Sequence, residues 1–151
     1  ATLTANLDAM GFFPRTHVVF GAMGDKDLGA MVQKIAPLVD VWHCCDLPVA
    51  RAASARDLAA VARAVSPVKG AEFHEHVSPR DALMAARSQA DPADRIVVFG
   101  SFHTVGAALG AAAVSAAPVQ WHPQVIAAST CYYRAVGQPP QSLNYCPDSS
   151  V

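Results

Sequence analysis

The side chains of this sequence best placed to do chemistry stand just beyond its apolar runs. Lys26 lies in Phe20-Gly-Ala-Met-Gly-Asp-Lys-Asp-Leu28, after Val18-Val19-Phe20 and between Asp25 and Asp27. Ser101 and His103 lie in Phe99-Gly-Ser-Phe-His-Thr-Val105, directly after Ile96-Val97-Val98. Each stretch reads as a buried strand that ends in a small polar loop and opens a helix. Lysine supplies a compact positive charge, and serine a hydroxyl beside the exposed N–H groups of a helix start, so both suit a carboxylate. His103, at the same helix start, could donate to a carboxylate or phosphate or carry a proton; otherwise it caps the helix or packs on a neighbouring loop. Arg51 could pair with a phosphate or a carboxylate, or form a surface salt bridge. Asp25 and Asp27 suit helix capping better than metal binding, because an acidic residue in the first turn is favourable without any ligand.

Alternating strands and helices would position these groups. Leu3, Leu7 and Met10 recur at helical spacing until Gly11 and Pro14. After the strand at Val18–Phe20, Asp25 can cap a helix whose apolar face is Leu28, Met31, Val32 and Ile35, with Pro37 near its end. Val39 to Cys45 reads as a second strand. Ser54 and Asp57 form a capping-box-like start for a helix buried along Leu58, Val61, Ala62 and Val65. Phe73 to Val77 alternates polar and apolar side chains, as a strand near a sheet edge does. Ser78 then caps a helix that has Pro79 at its first position. Asp91-Pro-Ala-Asp94 turns into the strand Ile96–Phe99, and the closing helix runs from about Thr104.

This pattern predicts an α/β fold, Rossmann-like, with a mostly parallel sheet covered by helices on both faces. Four strands are evident, with room for others near Val68 or within the tail. In such open sheets ligands bind outside the carboxyl ends of the strands, where both polar loops belong.

With 151 residues, 52% hydrophobic and 15% charged, the chain has the size of one domain and ample material for a core. The weakly polar run Val105–Val119 is broken by Ser115 and Pro118, so no membrane partner is expected. Eleven basic against twelve acidic residues, without a cationic cluster, argue against nucleic acid. The four cysteines, at 44, 45, 131 and 146, lack metal-ligand spacing and read as small core thiols of a cytoplasmic protein. His43 reads as a strand imidazole. His74 and His76 share one strand face, yet no third ligand accompanies them, so no metal site is expected.

Three ordered motifs, the Asp-Lys-Asp loop, Asp46-Leu-Pro-Val-Ala-Arg-Ala-Ala-Ser54 and Gly100-Ser-Phe-His-Thr-Val105, make the chain resemble the C-terminal domain of the folylpolyglutamate synthase/dihydrofolate synthase family, relatives of the Mur ligases. The resemblance runs from Ala1 to about Ala113. It implies a Mur ligase C-terminal type of domain over residues 1–116, with six strands of which one is antiparallel. Residues 117–151, rich in Pro, Gln, Ser, Tyr and Cys, are read as a tail of uncertain structure, disordered or non-native, with room for a short docked element around Val125 to Tyr133.

The resemblance also implies a reaction. ATP phosphorylates a pteroate or folate carboxylate, and the amine of L-glutamate attacks the acyl phosphate. By analogy with the related glutamate-adding Mur ligase, Lys26 and Ser101 would hold the glutamate carboxylates, with His103 beside them and Asp25 and Arg51 nearer the phosphates. ATP and Mg²⁺ would be bound mainly by an N-terminal ATPase domain, the expected partner. Its phosphate loop, G-x-x-x-x-G-K-[ST], and its Asp-x-Ala-His-Asn-Pro hinge do not occur in this sequence. Alone, the chain is therefore expected to be catalytically inactive and to need no cofactor. The alternative is a stand-alone Rossmann-like ligand-binding module. A dinucleotide site is disfavoured, because Gly21-Ala-Met-Gly-Asp-Lys lacks the third glycine.

Overall fold

The computed structural model describes residues 3–114, 124–129 and 133–136. Its elements run α1 (Leu3–Ala9), β1 (Thr16–Gly21), α2 (Leu28–Ile35), β2 (Val41–Cys45), α3 (Ala55–Val65), β3 (Glu72–His76), α4 (Pro79–Gln89), β4 (Arg95–Gly100), α5 (Phe102–Val114), β5 (Gln124–Ser129) and β6 (Tyr133–Val136). The strands form one sheet in the order β3-β2-β1-β4-β5-β6. Neighbours pair in parallel except β5 and β6, which are antiparallel. This is the expected α/β architecture, with one antiparallel strand.

Period-two alternation sorts the strand residues between two apolar layers. On one face Val18, Phe20, Trp42, Cys44, Val97 and Phe99 pack with Leu7 of α1, Val32 and Ile35 of α2, and Leu58, Ala59 and Ala62 of α3. On the other, Val19, Cys45, Ile96 and Val98 pack with Ala82, Leu83 and Ala86 of α4 and Val105 and Ala108 of α5. Burying one such Leu, Ile or Phe side chain stabilises the fold by roughly 1.5–3 kcal/mol. Phe20 stacks on its register partner Phe99 at 5.6 Å and meets Trp42 edge-on at 6.1 Å, so one aromatic layer spans three strands. Cys44 and Cys45 point to opposite layers as free thiols, and burial pushes both up to about 12. Cys131 and Cys146 lie outside the described residues.

Local chemistry sets the helix starts. Ser54 and Ser78 accept the backbone N–H of Asp57 and Asp81, as expected from the sequence. At α2 the capping residue is Asp27, whose carboxylate accepts Ala30 N–H at 3.0 Å, and Asp25 does not cap. The helix begins at Leu28, one residue after Asp27, and a cap must directly precede the first helical residue. The edge strand β3 is only half-buried, in keeping with its alternating sequence.

Strands β5 and β6 extend the sheet beyond β4 and bring it to the six strands, one antiparallel, that the resemblance implies, but they lie within residues 117–151. They overlap the segment Val125 to Tyr133, for which the sequence leaves room for a docked element; the rest of that tail lies outside the described residues. No helix of the described residues is long and apolar enough to cross a membrane.

Candidate functional site

After β1 the chain winds outward through β2 to the edge strand β3, then returns to place β4 on the other side of β1. The sheet order therefore reverses between β1 and β4. At such a switch point the loops leaving adjacent strands diverge to opposite faces and leave a crevice at the carboxyl ends. The loop after β1 carries Lys26 and the loop after β4 carries Ser101, so the topology brings together two residues 75 positions apart.

Ala22, Met23, Lys26, Met31, Gly100 and Ser101 line one shallow depression there, open to solvent. It joins a cation and a hydroxyl to an apolar wall from two methionines. That combination suits a small molecule with a carboxylate and a short aliphatic stem.

Glycine allows the two loops to touch. Gly100 adopts φ +125°, and a Cβ there would collide with the Gly21 carbonyl. That carbonyl accepts Ser101 N–H at 2.9 Å and the Thr104 hydroxyl at 2.8 Å. On its other flank the Lys26 loop is zipped to the loop before α3. Gly24 N–H donates to Arg51 O at 2.6 Å, Ala53 N–H donates to Ala22 O at 3.0 Å, and Met23 and Ala52 form an antiparallel bridge. Three loops thus form one hydrogen-bonded rim.

Ser101 caps α5, its Oγ accepting Thr104 N–H at 3.3 Å. The helix starts at Phe102, two residues before the expected point. His103 is exposed in the first turn and leaves the capping to Ser101. His103, Asp25 and Arg51 do not line the depression, although the backbone of Arg51 borders the Lys26 loop. Lys26 and Arg51 are exposed or nearly so, and among the described residues no side-chain hydrogen bond or ion pair engages either.

Thr104 was not singled out from the sequence. Its signal there is the Ser-x-x-Thr spacing from Ser101, which places two hydroxyls on the same helix turn.

The histidines form a separate group, beneath α4. His43 Nδ1 and His76 Nε2 lie 3.1 Å apart, and the His43 ring stacks with His17, His74 and His76. Burial, followed by the neighbouring imidazoles, pushes His43 down to about 3. His17 is also lowered, because burial outweighs the Asp94 carboxylate that its Nε2 meets at 3.3 Å. Among the described residues no group of three His, Cys, Asp or Glu side chains could hold a metal ion.

Comparison with known proteins identifies the family and the fold. Residues 1–102 match the family described as Mur ligase, glutamate ligase domain. Over 87 residues, 58% of this chain, it is 33% identical to the dihydrofolate synthase/folylpolyglutamate synthase of Haemophilus influenzae, covering 20% of that protein. To the Escherichia coli K12 enzyme of the same name it is 32% identical over 103 residues, 68% of this chain and 22% of that protein. The fold matches E. coli FolC in complex with DHPP and ADP with a TM-score of 0.67 and 28% identity, over 76% of this chain and 26% of FolC. It also matches the bifunctional folylpolyglutamate synthase/dihydrofolate synthase of Yersinia pestis, complexed with AMPPNP and Mn ion, with a TM-score of 0.54 and 31% identity over 66% of this chain and 22% of that one. The chain spans about a fifth to a quarter of these relatives. It belongs to the family of the Mur ligase glutamate ligase domain, and the relatives it resembles there are dihydrofolate synthase/folylpolyglutamate synthases.

Proposed function

We propose that this chain is the C-terminal domain of an ATP-dependent amide ligase that adds L-glutamate to dihydropteroate or a reduced folate, and that it presents the glutamate. The observation that carries the reading is the shared depression of Lys26 and Ser101 at the switch point of a sheet of this family. Lys26 charge-pairs with one glutamate carboxylate, and Ser101 with the N–H groups of the α5 start engages the same or the second one. Met23 and Met31 cover the methylenes between them. Glutamate held by its carboxylates has its amine free to face the neighbouring domain.

Chemistry proceeds at the junction with that domain. The substrate carboxylate, phosphorylated by ATP, is attacked at its carbon by the glutamate amine. A C–N bond forms, the C–O bond to phosphate breaks, and the amine gives up a proton. This chain's part is positioning, which converts a bimolecular attack into a near-unimolecular one. Exposed His103 stands at the rim, where it receives that proton or donates to a phosphate oxygen, and Arg51 and Asp25 flank the phosphate side. A divalent ion bound with ATP neutralises phosphate charge in such transfers. In this reading its ligands come from the ATPase domain and the nucleotide. We place the protein in the cytoplasm, where ATP and folates are available.

The test is made on the enzyme formed with its ATPase domain. Lys26→Ala and Ser101→Ala are expected to raise the KM for glutamate at least tenfold and to leave ATP binding intact. Unchanged glutamate incorporation in both variants would overturn the reading in favour of a non-catalytic module. The 151-residue chain alone is expected to release no ADP from ATP, dihydropteroate and glutamate.

A further inference from the structure

One hydroxyl at the rim joins the two loops without facing the depression. Thr104 is wholly buried, unlike the exposed His103 beside it. Its Oγ1 lies 2.8 Å from Gly21 O and 3.2 Å from Ser101 Oγ. A carbonyl only accepts, so the single Thr104 hydroxyl proton lies on Gly21 O. In the contact between the two hydroxyls Ser101 must then be the donor. The bonds run one way, from Ser101 O–H to Thr104 O–H to the Gly21 carbonyl, and each polarises the next.

Two consequences follow for the site. The Ser101 proton points inward, so in the free protein the serine turns a lone pair, not a donor, toward the depression. To donate to a carboxylate, Ser101 has only to swing its proton away from Thr104. Thr104 keeps its bond to Gly21 during that swing, so the rim stays assembled while the serine reorients. The second consequence concerns spacing. Gly21 ends the strand that leads to Lys26, and Thr104 lies one turn beyond Ser101, so the Thr104–Gly21 bond, beside the Ser101 N–H bond to the same carbonyl, ties together the two loops that carry the candidate carboxylate ligands.

We propose that Thr104 is a positioning residue of the glutamate site: it fixes the Ser101 hydroxyl and its proton, and it clasps the β4–α5 loop to the end of β1. The clasp stands on the hydrogen bonds alone, whereas its purpose rests on the glutamate reading given above.

Three forms of the 151-residue chain separate the two claims: wild type, Thr104→Val, which keeps the shape and loses the hydroxyl, and Thr104→Ser, which keeps the hydroxyl and loses the methyl. Amide hydrogen exchange followed by NMR reads the clasp. The Ser101 amide is expected to exchange at least tenfold faster in Thr104→Val and within about twofold of wild type in Thr104→Ser, with the Val18 and Trp42 amides unchanged in all three. Equal protection in Thr104→Val, or equal loss in both variants, overturns the clasp.

Titration with L-glutamate reads the purpose. The Kd is expected to rise about tenfold in Thr104→Val, the loss of roughly 1.4 kcal/mol, and to be restored in Thr104→Ser. If wild type and Thr104→Val bind glutamate equally, Thr104 does not position the site. If wild type shows no glutamate-dependent shift at Ser101 or Lys26, the glutamate reading fails for this chain, and the exchange data still decide the clasp.

Discussion

The two ends of the sheet treat polar groups in opposite ways. At the amino ends of β1 and β4 the charged side chains are satisfied from within. Buried Asp94 accepts the N–H groups of Arg15 and Asp91 and meets His17, and the Asp40 carboxylate accepts Thr16 N–H. Buried Arg95 donates to Leu7 O and Thr16 Oγ1 and stacks on Phe13. At the carboxyl ends it is the backbone that is satisfied, loop to loop, while Lys26, Arg51 and His103 reach solvent. The amino end anchors α1 and the strand starts to one another, whereas the carboxyl end uses its hydrogen bonds to hold three loops in place and leaves the Lys26 and Arg51 side chains exposed. The same topology creates both ends, but only one lies at a switch point with diverging loops.

The harshest way to break this contrast is Gly100→Ala. The new methyl meets the Gly21 carbonyl in a backbone conformation that L-residues rarely adopt, so the carboxyl end should prove as intolerant as any core position. A loss of ~3 kcal/mol or more is expected by denaturant unfolding, and a loss under ~1 kcal/mol would mean the loops are not in contact.

Next comes Asp94→Ala at the opposite end. It strands two backbone N–H groups and is expected to cost about 2–3 kcal/mol, lowering the melting temperature by roughly 4–12 °C, with glutamate binding unchanged. A melting temperature within a degree or two of wild type would show that the amino-end network contributes nothing.

Acid should act on the protein's interior rather than on its rim. His17, His43 and His76 are all held below their ordinary value, chiefly by burial. The unfolded chain therefore takes up protons below about pH 6.5 that the native state refuses, down to about 3 for His43. Stability is complete above that range and falls as the pH drops through it, by up to ~1.4 kcal/mol per pH unit for each histidine. His43→Leu is expected to flatten the slope measured by urea unfolding between pH 6.5 and 4; an unchanged slope would place the acid sensitivity elsewhere.

The smallest effects on stability fall on the candidate ligands. Ser101→Ala removes a helix cap and is expected to cost about 1 kcal/mol, and Lys26→Ala less than ~0.5 kcal/mol, while both weaken glutamate binding at least tenfold. A Lys26→Ala variant that loses several kcal/mol would erase the distinction between the ends.

Much of this was legible in order along the chain. Val18–Phe20 and Ile96–Phe99 announce buried strands by continuous apolar residues, and Ser54, Ser78 and Pro79 announce helix starts, because these signals act within one helical turn or one strand. The pairing of Lys26 with Ser101 was legible only through resemblance, since neither residue carries information about a neighbour 75 positions away. Asp25 and Asp27 are equivalent by composition, and only the point where α2 begins made Asp27 the cap. Strands β5 and β6 lie in sequence with weak periodicity, and the hydrogen-bonding edge of β4 places β5, which in turn places β6. His43 reads as an ordinary strand residue, yet its low pKa arises from burial and then from imidazoles on β1 and β3, which surround it only when the sheet forms. Thr104 is the clearest case. Its residue type permits a hydroxyl bond anywhere, and only the contact of Gly21 with Gly100 put the Gly21 carbonyl within its reach, because long-range backbone approach is a property of packing and not of local sequence.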